Sequence, residues 1–147
     1  MIQVFIVDDH KMVIEGLQLL LQNEEDITVI GSALSGKDAL EQIDIRQPDV
    51  VLLDINMPKM NGIAFLKNLM RLRPTPVVMI STLTSEGSQI TMQALESGAI
   101  DFVAKPNDLS RIMGEYQQEI INKVLAAASV SKSTLEAISK KLSGQSS

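Results

Sequence analysis

Asp8-Asp9, Asp54 and Lys105 are the side chains of this sequence whose types and placement suggest chemistry. Each follows directly on a short, mainly apolar run: Ile2 to Val7 with Gln3 as its one polar residue, Val50 to Leu53, and Ala99 to Ala104 with Asp101 as its one polar residue. Adjacent carboxylates repel one another, and three brought together resist ionising unless a cation neutralises them. An all-oxygen cluster of that kind suits Mg²⁺, which prefers carboxylate, carbonyl and water in an octahedron. Lys105 can reach such a cluster as a mobile point charge.

These groups converge only if the chain folds so that the apolar runs end along one edge. Val50-Val51-Leu52-Leu53 is uninterrupted and half β-branched, which predicts a parallel strand buried on both faces. Pro58 and Gly62 turn the chain after it, so Asp54 stands at a strand's carboxyl end. The remainder alternates in the same way. Strands are predicted at Ile2 to Val7, Ile27 to Ser32, Val77 to Ile80 and Ala99 to Ala104. Helices are predicted from about Met12 to Leu21, from Ser35 as N-cap through Ile45, over Ile63 to Leu72, from Ser85 or Gly87 to Ser97, and from about Leu109 to Ala128. Gly98 is placed as a C′ residue. Five βα units with right-handed crossovers make one flavodoxin-like α/β sheet in the order 2-1-3-4-5. Strands one and three are then neighbours at the switch point, where ligands of such sheets bind, and Asp8, Asp9 and Asp54 share one pocket. Residues 1–128 are expected as one domain and residues 129–147, rich in Ser and Lys, as a linker or tail.

Composition narrows the rest. Of 147 residues 45% are hydrophobic but only 3% aromatic, so the core must be aliphatic. The net charge of −5 argues against a nucleic-acid backbone as partner. No cysteine is present, which removes disulfides and thiolate metal sites and fits a reducing cytosol. No apolar run is long enough for a membrane span, and the expected location is cytoplasmic.

Asp8-Asp9, Asp54 with Met57-Pro58 and Gly62, Ser81, and Lys105-Pro106 together resemble the receiver domain of two-component response regulators over residues 2 to about 128. The resemblance implies that Asp54 accepts a phosphoryl group from a histidine kinase. It implies Mg²⁺ bound by Asp9, Asp54 and the backbone carbonyl of Asn56, with Asp8 acting through water. It further implies that Ser81 and Lys105 contact the phosphoryl oxygens, that Lys105–Pro106 is a cis peptide, and that Phe102 is a switch aromatic. Beyond this, Asn68 to Pro74, Pro76 to Thr84 and Ala94 to Pro106 look like the regulatory receiver of chemotaxis protein-glutamate methylesterases. That likeness implies a methylesterase domain or another chemotaxis partner as output, reached through the face of the fourth helix and fifth strand. The catalytic part is not in these residues: no G-x-S-x-G elbow occurs and His10 is the single histidine.

Simpler and rival readings stand beside these. Asp8 and Asp9 could cap the first helix, Ser81 could bond local backbone with Thr82 as its substitute, and Phe102 could be a half-buried hydrophobe. His10 reads as a solvated loop residue. Val7 to Val13 is more like receivers attached to helix-turn-helix transcription factors, which leaves a transcriptional regulator as one alternative and a receiver used only for interaction as another. A phosphatase-like enzyme using Asp54 would need an acid-base carboxylate two residues on, where Asn56 stands.

Overall fold

Five strands alternate with helices before a last helix closes the described chain, and the computed structural model describes residues 1–55, 61–81, 85–106, 112–130 and 132–145. The elements are β1 (Ile2–Val7), α1 (Lys11–Leu21), β2 (Ile27–Ala33), α2 (Gly36–Arg46), β3 (Val50–Asp54), α3 (Gly62–Leu72), β4 (Val77–Ser81), α4 (Ser85–Glu96) and β5 (Asp101–Ala104). A wide π-helical turn (Ile112–Tyr116) leads into α5 (Gln117–Ala128), and α6 (Lys132–Gln145) follows. The five strands are all parallel in the order β2-β1-β3-β4-β5, as the alternation requires.

The strand pattern explains the layers. Every residue of β3 and β4 is buried, so alternate side chains feed opposite faces of the sheet. Phe5, Val7, Val51, Leu53, Val77 and Met79 face one core with Ile43 of α2, Phe65, Leu66 and Leu69 of α3, and Ala94 of α4. Val4, Ile6, Val50, Leu52, Val78 and Ile80 face the other with Leu17 and Leu21 of α1 and Ile120 and Val124 of α5. Register carries the strand ends to one edge. Val7 pairs with Leu53, Asp54 with Ile80, and Ser81 with Ala104, so Asp8, Asp54, Ser81 and Lys105 emerge side by side.

Helix ends follow local chemistry. Ser35 caps α2 by accepting the Asp38 N–H at 3.2 Å, as expected. Asn61 caps α3 in the same way, accepting from Ala64 N at 3.0 Å, and α3 begins at Gly62, one residue earlier than its apolar stripe suggests. A Cβ on Gly62 would lie 2.9 Å from Ile55 Cδ1, so the missing side chain lets α3 start against the end of β3. Gly98 has φ 116° and its N–H bonds Leu95 O while Ala99 N–H bonds Ala94 O, a Schellman closure of α4. Because Ala99 is spent on that closure, β5 begins at Asp101 and not at Ala99.

Two expectations are corrected. Residues 129–147, expected as a linker or tail, contain α6, which packs on the α2–α4 side of the sheet: Leu135 is buried, Val130 and Ile138 lie against the same core, and Ser139 Oγ donates to Met70 O at 2.7 Å. Leu135, Ile138 and Ser139, spaced i, i+3 and i+4, share one helical face, and α3 receives it. Leu135→Ala is expected to lower stability by about 2 kcal/mol, measured as a shift in urea midpoint at unchanged m-value; an unchanged midpoint would mean that α6 is not part of the folded unit. The second correction concerns Lys105–Pro106, which is trans; none of the peptide bonds among the described residues is cis. An X–Pro bond intrinsically favours trans by about 0.5–1 kcal/mol, and Lys105 reaches its partner in that form.

Candidate functional site

At the carboxyl edge of the sheet, Asp54 ends β3 at 2% exposure and Asp8 follows β1 at 0%. Lys105, one residue beyond β5, extends its ammonium to Asp54 Oδ2 at 2.8 Å. The Lys105 backbone N–H bonds Ser81 O at 2.8 Å, which ties the end of β5 to the end of β4. Asp8 Oδ1 accepts the His10 N–H at 2.8 Å, and Asp8 Oδ2 is buried without a hydrogen-bond partner. The Asp9 side chain is 3% exposed, with Oδ1 2.7 Å from His10 Nδ1. His10, expected as a solvated loop residue, is 56% exposed yet keeps its ring nitrogen on the acidic pair.

Electrostatics at this edge are unfavourable to the acids. Burial, and after it the approach of Asp54, raises the Asp8 carboxyl from 3.8 to about 6, against the lowering effect of the His10 N–H and the Lys105 charge. Tyr116, in the π-helical turn before α5, is pushed up to about 12, first by burial and then by the charges of Asp54, Asp8 and Glu119. It therefore stays a neutral phenol at any physiological pH.

The residues fit a small hard cation. The buried Asp8 carboxylate, whose Oδ2 has no hydrogen-bond partner and whose charged form is disfavoured by burial, is the kind of oxygen ligand that a small hard cation would stabilise. Among the described residues, the donor atoms of Asp8, Asp9 and His10 lie within 4.8 Å of one another and could hold a metal ion. Of the expected set, Asp54 is paired with Lys105, and Asn56 lies outside the described residues, as do Met57, Pro58 and Thr82.

The structure thus brings together Asp8, Asp9, Asp54 and Lys105, with Ser81 beside them on β4. Ser81 is buried and its Oγ lies 2.7 Å from Thr91 Oγ1 of α4. Phe102 is held by a different group. Its half-buried ring lies 5.1 Å from Lys123 Nζ of α5, which also bonds Phe102 O and approaches Asp101 at 3.4 Å and Glu119 at 3.2 Å. Neither Thr91 nor Lys123 was legible beforehand. Nothing in their local sequence distinguishes a helical Thr or Lys that reaches another element from one that does not.

A family model described as "Response regulator receiver domain" matches residues 4–117, most of the chain. The chain belongs to the response regulator receiver family. Protein-glutamate methylesterase/protein-glutamine glutaminase of Hydrogenovibrio crunogenus is 52% identical over 136 residues, covering 92% of this chain and 36% of that protein. Protein-glutamate methylesterase/protein-glutamine glutaminase 2 of Xanthomonas oryzae pv. oryzae is 49% identical over 91% of this chain and 38% of its own length. The receiver thus spans little more than a third of these relatives. Among solved structures, the response regulator domain of Thermotoga maritima CheB superposes with a TM-score of 0.78 at 38% identity, covering 88% of this chain and 98% of that one. Fold class and family therefore agree with what the strand-end residues imply. No helix among the described residues is long and apolar enough to cross a membrane.

Proposed function

We propose that Asp54 is the phosphoacceptor of this receiver, that a histidine kinase is its donor, and that the signal passes to a methylesterase domain or another chemotaxis partner. The observation that carries the first step is a buried carboxylate at the sheet edge paired at 2.8 Å with Lys105 among two further acids. An Asp54 oxygen forms a bond to phosphorus while the phosphohistidine P–N bond breaks and its electron pair returns to the imidazole. The Lys105 ammonium, already on Asp54 Oδ2, moves its bond to a phosphoryl oxygen as negative charge shifts there. Ser81, at the neighbouring strand end, donates to a second oxygen. Asp8, Asp9 and Asp54, with the Asn56 carbonyl, would hold Mg²⁺, whose bound charge would neutralise the equatorial oxygens. Identity of about 50% to methylesterases over their receiver portion supports that output over a transcriptional one.

The test is to incubate the chain with acetyl phosphate and Mg²⁺ and weigh it by intact-protein mass spectrometry. One phosphoryl group is expected on the wild type and none on Asp54→Asn. Absence of any adduct on the wild type would leave a receiver used only for interaction. Catalytic turnover of many phosphoester molecules would instead favour a phosphatase-like enzyme, for which this chain has Asn56 in place of the required carboxylate.

A further inference from the structure

Of the residues gathered at the carboxyl edge, His10 is the one to which neither the receiver resemblance nor the phosphoryl chemistry gives a role. It is the N-cap residue of α1, where a Ser, Thr, Asp or Asn side chain ordinarily accepts a helix N–H, yet its ring makes no such bond. The ring turns onto the acids instead: Nδ1 lies 2.7 Å from Asp9 Oδ1 and 3.4 Å from Asp8 Oδ1. The main chain anchors it there. The His10 N–H donates to Asp8 Oδ1 at 2.8 Å, and the His10 carbonyl accepts from Val13 N at 3.1 Å and Ile14 N at 3.2 Å.

Asp8 supplies an independent observation. Its side chain is fully buried, and Oδ2 has no hydrogen-bond partner. A carboxylate oxygen in that position is stabilised by a cation close by. The donor atoms of Asp8, Asp9 and His10 all lie within 4.8 Å of one another. Two ligands about 2.0–2.2 Å from a tetrahedral ion stand about 3.3–3.6 Å apart. The 3.4 Å between His10 Nδ1 and Asp8 Oδ1 already meets that spacing, and the exposed His10 ring can widen its 2.7 Å approach to Asp9. We propose that His10 Nδ1 is a direct metal ligand and that, with Asp8 and Asp9, it forms a site for a borderline divalent ion of the Zn²⁺ class. Mg²⁺ takes oxygen donors and keeps several waters, whereas an imidazole nitrogen suits Zn²⁺. Two carboxylates and a neutral imidazole balance the double charge of the ion, and water takes the fourth position. Zn²⁺ would share Asp8 and Asp9 with Mg²⁺, so each ion excludes the other. The ligation stands on the geometry of the trio; only the exclusion rests on the reading of these acids as Mg²⁺ ligands.

The experiment titrates the metal-free chain with ZnCl₂, and separately with MgCl₂, by isothermal titration calorimetry in wild type, His10→Ala, His10→Gln and the double variant Asp8→Asn/Asp9→Asn. One Zn²⁺ per chain is expected in the wild type. Both His10 variants should weaken Zn²⁺ at least about 10-fold, since losing even an outer partner of a metal ligand costs about 10- to 100-fold, and should weaken Mg²⁺ much less. The double variant should lose the Zn²⁺ site. Because His10 is the single histidine, its imidazole proton resonances report on the ligation directly. They should shift with Zn²⁺ up to one equivalent and far less with Mg²⁺. Unchanged Zn²⁺ affinity in both His10 variants, an equal loss for the two ions, or a Zn²⁺ site that survives in the double variant overturns the proposal. Zn²⁺ binding that depends on His10 but is not displaced by Mg²⁺ upholds the ligation and overturns the reading of these acids as Mg²⁺ ligands instead.

Discussion

Lys105→Met is expected to destabilise the protein by about 2–3 kcal/mol at neutral pH in the absence of divalent metal, at the lower end of what removing one partner of a buried ion pair costs because Lys105 itself is partly exposed. The mechanism is the charge left behind. Asp54 is 2% exposed and faces Asp8, so without the ammonium 2.8 Å away it becomes an uncompensated anion in a poorly solvated site. Methionine keeps much of the aliphatic stem, which separates the loss of charge from the loss of packing. Asp54→Asn in the same background should restore most of the stability, since the stranded charge is then gone. Urea unfolding of the single and double variants, with a chelator present, measures both effects. A loss below about 0.5 kcal/mol would place the pair among exposed, solvent-screened bridges.

Asp8→Asn is expected to act in the opposite direction. The Asp8 carboxyl titrates at about 6 in the folded protein against 3.8 in the unfolded chain. In that window the folded state holds a proton that the unfolded state has lost. The contribution is therefore fully present below about pH 4 and disappears as pH rises through 6, with a size of at most about 3 kcal/mol. At neutral pH the wild type carries the whole cost of the buried charge. Asparagine removes that charge at all pH values, so the variant should be more stable than the wild type by about 1–3 kcal/mol near pH 7 and equally stable near pH 4. Added Mg²⁺ should raise the wild-type unfolding midpoint and move that of the variant much less, because the cation and the proton relieve the same repulsion. Denaturation series near pH 4, 6 and 7, each with and without Mg²⁺, measure this. A variant no more stable than the wild type at neutral pH would show that the Asp8 charge is already accommodated. Stability is thus expected to be lowest where the site is most ready to bind metal, and the fold carries that cost on behalf of the site.

Much of the architecture could be read from local pattern. Val50 to Leu53 and Val77 to Ile80 are apolar runs too short for helices and bounded by Pro, Asp or Ser, and both form fully buried strands. Ser35 and Gly98 mark helix ends because a side-chain oxygen or an absent Cβ acts within a few residues of its own position. Asp8, Asp9, Asp54 and Lys105 were readable for the same reason. Each follows a strand, and parallel strands of a doubly wound sheet must all end at one edge.

The failures have the opposite character. Residues 132–145 have a thin apolar pattern, and their helix docks because Leu135 and Ser139 meet α3, an element some 65 residues earlier in the chain. Lys105–Pro106 is trans although the family resemblance implied cis, and no local feature of the dipeptide decides between the two isomers.

By itself the sequence determined the order of the five βα units, the sheet they form and the acids and lysine at its edge, because strand period, turn residues and crossover handedness are local or nearly universal constraints. Tertiary structure alone decided how those groups are engaged: Lys105 on Asp54, His10 on Asp9, Lys123 over Phe102 and Thr91 against Ser81. Ionisation was decided there too, since burial of Asp8 and its approach to Asp54 set its proton affinity. Hydrogen bonds and charge interactions act over a few ångströms, and which side chains come within that range depends on how helix faces settle against the sheet, a property of the packed whole.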